Sequence, residues 1–170
     1  MATDESGPDP KDRLSEYQLY ENALAALYAG NPDSAIVMFR KIVTSDSANT
    51  LARYYLGESY LKARKPDEAL REWEAALTVN RNDEPAVQAI GEVWFERQNY
   101  LKAREYFERA AALVPNDYTS QFKLGLSEDR LGMSDSALKH IQAACKPIPD
   151  STECRRELNR LEHVPKSVGK

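Results

Sequence analysis

Two cysteines have the spacing that most directly suggests chemistry in this sequence. Cys145 and Cys154 lie nine residues apart, and Pro147 and Pro149 between them favour a turn that could bring the thiols face to face. In an oxidising compartment they could form a disulfide bond, whereas in a reducing one they would remain small apolar side chains. Two cysteines without a CxxC motif do not predict a zinc site. The sequence leaves the bridge and the free thiols as alternatives.

The histidines and glycines do not indicate catalysis. His140 and His163 have no cysteine, second histidine or paired carboxylate at ligand spacing, so we interpret both as surface residues. The glycines form neither a GxGxxG nor a GxxxxGK[ST] motif, so no phosphate-binding loop is encoded. We therefore expect no catalytic residue, no cofactor and no metal, and a protein that is not an enzyme.

Small and large apolar residues recur every 34 residues. The repeated positions are Ala35, Ala69, Ala103 and Ala137; Gly57, Gly91 and Gly125; and Phe39, Trp73, Phe107 and Ile141. A unit of this length cannot bury its own apolar face, so stacked neighbours must share one core. Glycine inside a helix is unfavourable, and we expect it where two helices of a pair approach closely against the alanines. The large residues should then fill the space between repeats.

Helix start and stop signals divide the chain into helix pairs. Asp9-Pro10 and Asn31-Pro32 predict helix starts, and Asp150 has capping-box spacing to Glu153, so we expect Asp150 to cap a last helix. The predicted organisation is a disordered tail at 1–9, four repeats within 10–150 (about 16–49, 50–83, 84–117 and 118–151), a capping helix at 151–164 and a frayed end at 165–170.

These features make the sequence similar to the tetratricopeptide repeat family over roughly residues 15–150. The second repeat, LARYYLGESYLKARKPDEALREWEAALTVNRND, carries the pattern best, and PAVQAIGEVWFERQNYLKAREYFERAAALVPND is close to it. The resemblance implies an all-α fold, a right-handed superhelical solenoid of antiparallel helix pairs. Glu128 departs from the pattern, because Tyr60 and Trp94 predict an aromatic ring at that repeat position. The segment GPDPKDRLSEYQLYENALAAL also resembles repeat tails appended to some bacterial sulfatases.

Tetratricopeptide proteins usually hold a peptide in a concave groove lined by the first helix of each repeat. The groove residues expected here are Tyr17, Tyr20, Leu24, Tyr54, Tyr55, Glu58, Glu92, Phe95, Phe122 and Lys123, with Tyr28 on the same face of the first helix. Such aromatic residues are common binding anchors, although packing between repeats is an equally good reading for any one tyrosine. Glu58 and Glu92 would make part of the floor acidic, which suits a basic or amine-bearing group. Among the carboxylate-clamp positions of chaperone-binding members only Lys123 is cationic, which excludes that subfamily.

Charge and composition favour a protein partner. The formal net charge of −4 and the lack of a basic stripe argue against nucleic acid, including a helical-repeat RNA-binding role. No apolar stretch is long enough for a membrane span, and the opening MATDESGPDP is not a signal peptide, as expected of a cytosolic protein or of a periplasmic fragment of an exported one. We expect a scaffold that binds a peptide or partner protein. The alternatives are an accessory domain of a larger bacterial enzyme such as a sulfatase, or an assembly factor or chaperone for secretion or pilus machinery.

Overall fold

The structure, a computed structural model, describes the backbone of residues 10–163 and the side chains of residues 15–163. Within that range the chain forms nine helices and no strand. They are α1 (Pro10–Tyr28), α2 (Pro32–Ser45), α3 (Thr50–Lys62), α4 (Pro66–Val79), α5 (Glu84–Glu96), α6 (Tyr100–Leu113), α7 (Tyr118–Arg130), α8 (Ser134–Cys145) and α9 (Thr152–Glu162). The predicted tail at 1–9, its cap Asp9 and the predicted frayed end lie outside the described residues.

The chain divides into two compact units, residues 1–81 and residues 82–170. Unit 1 contains α1 to α4 and unit 2 contains α5 to α9, and in each unit consecutive helices pack against one another. Short connections between packed helices produce antiparallel pairs, so the predicted all-α fold of helix pairs is confirmed. In the part of the chain that the structure describes, no helix is both long and apolar enough to traverse a lipid bilayer.

Short polar side chains cap the N-termini of most of the described helices. Asn31, Asn49, Asp83, Asn99 and Asp117 each accept a hydrogen bond from the backbone N–H three residues further on. Such caps satisfy N–H groups that have no partner within the helix. At α9 the capping residue differs from the prediction, because the cap is Ser151 and not Asp150.

Ser151 caps α9. Its hydroxyl accepts the hydrogen bond of the Cys154 N–H, while Asp150 lies one residue outside the cap and its backbone carbonyl accepts from the Arg155 guanidinium. The predicted role of Asp150 is therefore wrong. The α9 helix begins at Thr152, so a capping side chain must come from residue 151 to reach the N–H of the third helical position.

Each repeated glycine makes room for a large residue of the second helix in its own pair. A Cβ atom at Gly57 would lie 2.3 Å from Trp73 Nε1, and one at Gly91 would lie 3.0 Å from Phe107 Cε1. At Gly125 the nearest atom would be Cγ1 of Ile141, at 2.6 Å. At Gly57 and Gly91 the three nearest atoms belong to fully buried aromatic rings, and at Gly125 the backbone oxygen of the predicted partner Ala137 lies at 3.0 Å.

A disulfide bond joins α8 to α9. It links Cys145 to Cys154, whose Cα atoms are 5.7 Å apart. Both cysteines belong to a buried cluster of unit 2 that also includes Ile141 and Leu161, and Arg160 forms a 2.8 Å ion pair with Asp129. The α9 helix thus covers the apolar end of the last helix pair through a covalent bond, a buried contact and an ion pair.

We expect removal of this disulfide to destabilise unit 2. Replacing Cys145 and Cys154 together by serine should lower the free energy of unfolding by about 2 to 3 kcal/mol, because an unbridged short loop gains entropy in the unfolded chain. Denaturation followed by circular dichroism, with and without a thiol reductant, measures the effect. The reductant should shift the wild-type midpoint and leave the serine variant unchanged. Equal midpoints for the wild type and the variant under oxidising conditions would contradict the expectation.

Candidate functional site

Unit 1 presents tyrosines on α1 and α3 beside one carboxylate. Tyr17 and Tyr28 of α1 are 62% and 72% exposed, although both have large apolar rings. Tyr20 shares their face of the helix because its spacing matches helical turns, and Tyr55 and Glu58 of α3 are half-buried nearby. We call Tyr17, Tyr20, Tyr28, Tyr55 and Glu58 the tyrosine surface. Two strongly exposed rings on one face favour a binding role for it.

Phe39 of α2 supports the inner edge of this surface. The Phe39 ring is fully buried and contacts Tyr20 edge-on and Tyr55 in a stacked arrangement, both at 5.7 Å between ring centroids. The Tyr20 and Tyr55 rings also meet edge-on at 6.0 Å. Each ring is therefore fixed by packing. Fixed aromatic rings can bind a partner with little further loss of side-chain entropy.

Two further residues predicted for this face have mainly packing contacts. Leu24 is half-buried and packs against the core of unit 1. The ring centroids of Tyr54 and the buried Trp73 are 6.5 Å apart, and the Tyr54 backbone carbonyl accepts a hydrogen bond from Trp73 Nε1. Tyr54 also meets Tyr55 edge-on at 5.3 Å, so it supports the tyrosine surface from one side.

The tyrosine surface is electrostatically unusual. Burial, with smaller contributions from neighbouring Tyr55, Glu21 and Tyr28, raises the pKa of Tyr20 to about 12. Burial, then the proximity of Tyr28 and Glu58, raises the pKa of Tyr55. Burial also raises the pKa of Glu58, and Lys62 offsets this only in part. The common cause is that these phenol groups and this carboxyl group are partly buried, where solvation of a negative charge is poor.

Unit 2 has a different arrangement at the corresponding helix face. Lys123 Nζ lies 2.8 Å from Glu92 Oε2 and 4.9 Å from the centre of the Phe95 ring. Phe122 is only 3% exposed and stacks on Tyr118, so its ring is not accessible to a ligand in this structure. The carboxylate of Glu92 therefore already has an ammonium partner. The expected acidic groove floor is neutralised at this position.

Unit 2 also contains a buried carboxylate outside the predicted site residues. Glu128 is 2% exposed and accepts a 2.8 Å hydrogen bond from Ser136 Oγ. His140 Nδ1 lies 2.6 Å from its Oε2 atom, and Arg104 Nε lies 3.8 Å from Oε1. The interpretation of His140 as a surface histidine without a carboxylate partner is wrong. This cluster connects α6, α7 and α8, and across residues 15–163 no group of three His, Cys, Asp or Glu residues could hold a metal ion.

Comparison with known proteins agrees with the helix pairs. The chain is 26% identical over 123 residues to anaphase-promoting complex subunit 3 of Schizosaccharomyces pombe, which covers 72% of this chain and 18% of that protein. It is 28% identical over 120 residues to human superkiller complex protein 3, covering 69% of this chain and 8% of that one. The chain thus spans less than a fifth of the length of these curated relatives.

A solved structure shares the fold. MamA 41-end from Desulfovibrio magneticus RS-1 superposes with a TM-score of 0.79 at 20% identity, over 86% of this chain and 84% of that one. The tetratricopeptide repeat family model matches residues 20–85 and again residues 89–152. Each match covers most of two helix pairs, and together they cover most of the sequence. The chain belongs to the tetratricopeptide repeat family.

Proposed function

We propose that this protein is an interaction scaffold whose tyrosine surface in unit 1 binds a segment of a partner protein. The observation that carries the proposal is the exposure of Tyr17 and Tyr28, at 62% and 72%, beside rings that packing holds in place. Rigid aromatic rings with a polar edge are favoured anchors at protein interfaces. The role is binding, and we assign no reaction to the chain.

The relatives support a role within protein assemblies. Both curated relatives are named as components of complexes, the anaphase-promoting complex and the superkiller complex. The family fold supplies rigid helix faces rather than a catalytic cavity, which agrees with a scaffold. Attachment to a larger enzyme such as a sulfatase, and a role in secretion or pilus assembly, remain predictions from the sequence.

Unit 1 supports this site better than unit 2. In unit 2 the predicted residues Glu92 and Lys123 neutralise each other, and Phe122 is buried. In unit 1 the Tyr17 and Tyr28 rings are exposed, and the carboxyl group of Glu58 has a raised pKa because it is poorly solvated. A ligand therefore gains more from the exposed rings and from Glu58, which forms no ion pair among the described residues, than it would by separating the ion pair of unit 2.

The test is selection of binding peptides from a displayed random library with the full chain, followed by affinity measurements. Tyr17→Ala and Tyr28→Ala should each weaken a selected peptide by about 1 to 2 kcal/mol, the usual range for an interface anchor. Both side chains are mostly exposed, so folding should change little. Val37→Ala on α2, where Val37 is 56% exposed, is the matched control and should bind as the wild type does. Unchanged binding by both tyrosine variants, or the absence of any enriched peptide, would refute the proposal.

A further inference from the structure

Unit 2 shows how one repeat position binds an ammonium group. Glu92 lies on α5, and its carboxylate receives Lys123 Nζ at 2.8 Å. The same ammonium lies 4.9 Å from the centre of the Phe95 ring, within the range of a cation–π interaction. A half-buried carboxylate next to an aromatic face therefore binds a lysine side chain within this protein.

Unit 1 has a carboxylate at the same repeat position as Glu92, but no lysine among residues 15–163 is paired with it. Glu58 lies 34 residues before Glu92 in the sequence, while the residue 34 positions before Lys123 is Ala89. Among the side chains that the structure describes, none forms an ion pair with Glu58, and the charge of Lys62 on the same helix only partly offsets the effect of burial. Glu58 is thus a half-buried carboxyl group without a hydrogen-bonded cation in this part of the chain.

Tyr55 lies near this carboxyl group, and Tyr28 lies near Tyr55. Tyr55 lies one helical turn before Glu58, and the two are close enough for the carboxylate to raise the pKa of the phenol. The Tyr28 hydroxyl is near that of Tyr55, and the Tyr28 ring is 72% exposed. Tyrosine offers a cation both the face of its ring and a hydroxyl oxygen that can accept a hydrogen bond.

We propose that Glu58, together with Tyr28 and Tyr55, forms a receptor site for one basic side chain, lysine or arginine, of the bound partner segment. This inference rests on the proposed function, which it deepens by naming the chemistry of the ligand. In this site the partner's cation would have the role that the Lys123 ammonium has at Glu92. The two phenols would have the role of the Phe95 ring.

Binding at this site is linked to pH. The groups that face Glu58 are Lys62 and Tyr55 on α3, with Tyr28 contributing from α1 through its contact with Tyr55. Burial holds the pKa of Glu58 above its ordinary value of 4.5. The carboxyl group must be ionised to hold a cation, so affinity is full above the raised pKa and is lost as the pH falls through it. A bound cation favours the ionised form and lowers that pKa.

The experiment compares each selected peptide with an analogue in which its basic residues are glutamine. Wild-type protein should bind the basic peptide about tenfold more tightly, which corresponds to about 1.4 kcal/mol. Glu58→Gln keeps the size of the side chain but removes its charge. It should therefore reduce the ratio of the two affinities to about one. Tyr17→Ala should weaken both peptides equally and preserve the ratio. Glu74→Gln, an exposed carboxylate on α4, is the matched charge control and should preserve it as well.

A second measurement does not depend on a selected peptide. Titration of the Glu58 carboxyl carbon by NMR should give a lower pKa in the presence of Nα-acetyl-lysinamide or Nα-acetyl-argininamide than with neutral Nα-acetyl-norleucinamide at equal ionic strength. The inference would be overturned if Glu58→Gln still bound basic peptides more tightly than their glutamine analogues. It would also be overturned if neither cation changed the pKa of Glu58. Selected peptides that bind through Tyr17 and Tyr28 but show no basic preference would overturn it while leaving the proposed function intact.

Discussion

Gly57→Ala should destabilise unit 1 by about 2 to 3 kcal/mol, although alanine is the better helix former. The new Cβ atom would lie 2.3 Å from Nε1 and 2.5 Å from Cε2 of Trp73, so the indole must move. Trp73 is fully buried, and its Nε1 donates a 3.1 Å hydrogen bond to the Tyr54 carbonyl. Displacing the ring therefore loses both packing and a hydrogen bond. Denaturation followed by circular dichroism gives the stability, and tryptophan emission should shift to longer wavelength.

Gly91→Ala is the matched comparison for this prediction. Its Cβ atom would lie 3.0 to 3.2 Å from the Phe107 ring, a tight contact that a small shift can relieve. We expect a change within about 1 kcal/mol of zero, because the gain in helix propensity offsets much of the crowding. If the two alanine variants had equal stability, the indole of Trp73 could not be the group that requires glycine at position 57.

Glu128→Ala should lower the stability of unit 2 by about 2 to 4 kcal/mol, because it removes the hydrogen-bond partner of other side chains at a buried position. Ser136 and His140 would lose their acceptor, and Arg104 would lose its nearby carboxylate. The side chains of Arg104 and His140 are only about a quarter exposed, so water replaces these contacts incompletely. Chemical denaturation of the variant and the wild type measures the difference.

A double-mutant cycle separates this cluster from a simple cavity effect. Glu128→Ala and His140→Ala should be coupled by more than about 0.5 kcal/mol, since the two side chains are in direct contact. Glu105→Ala, an exposed carboxylate on α6, should change stability by no more than about 0.5 kcal/mol. Additive effects of the two substitutions in the cluster would show that the 2.6 Å contact contributes no stability.

The helix pairs could be predicted because their signals are local. The 34-residue period, the apolar spacing and the asparagine caps each lie within one repeat, and the helix starts predicted at Pro10 and Pro32 agree with the structure. The predicted cap of α9, Asp150, is one residue before the observed cap, Ser151, because both residues are good capping residues. Sequence alone does not determine which of two adjacent caps the backbone uses.

The site could be predicted only in part, because accessibility depends on packing between helices. Spacing along α1 places Tyr17 and Tyr20 on one face, and both line one pocket, but spacing cannot show that Phe122 is buried and stacks on Tyr118. The ion pair between Glu92 and Lys123 joins residues 31 positions apart, so no local motif reveals it.

The Glu128 cluster did leave one signal in the sequence. A glutamate occupies the repeat position of Tyr60 and Trp94, and a charge at a position that packing normally fills requires compensating partners. The partner His140 lies 12 residues away on the next helix, at a spacing that matches no metal or catalytic motif. The anomaly was therefore visible, while the identity of its partner required the structure.

The pairing of each glycine with one large residue has a consequence for how such a chain can lengthen. Gly57 and Trp73 are 16 residues apart, as are Gly91 and Phe107, and Gly125 and Ile141. Both members of each contact thus lie within a single 34-residue segment. A tandem duplication that copies one segment transfers the glycine together with the residue it accommodates. A newly added helix pair therefore already contains this contact, and the large residue in it differs from pair to pair: tryptophan, phenylalanine and isoleucine.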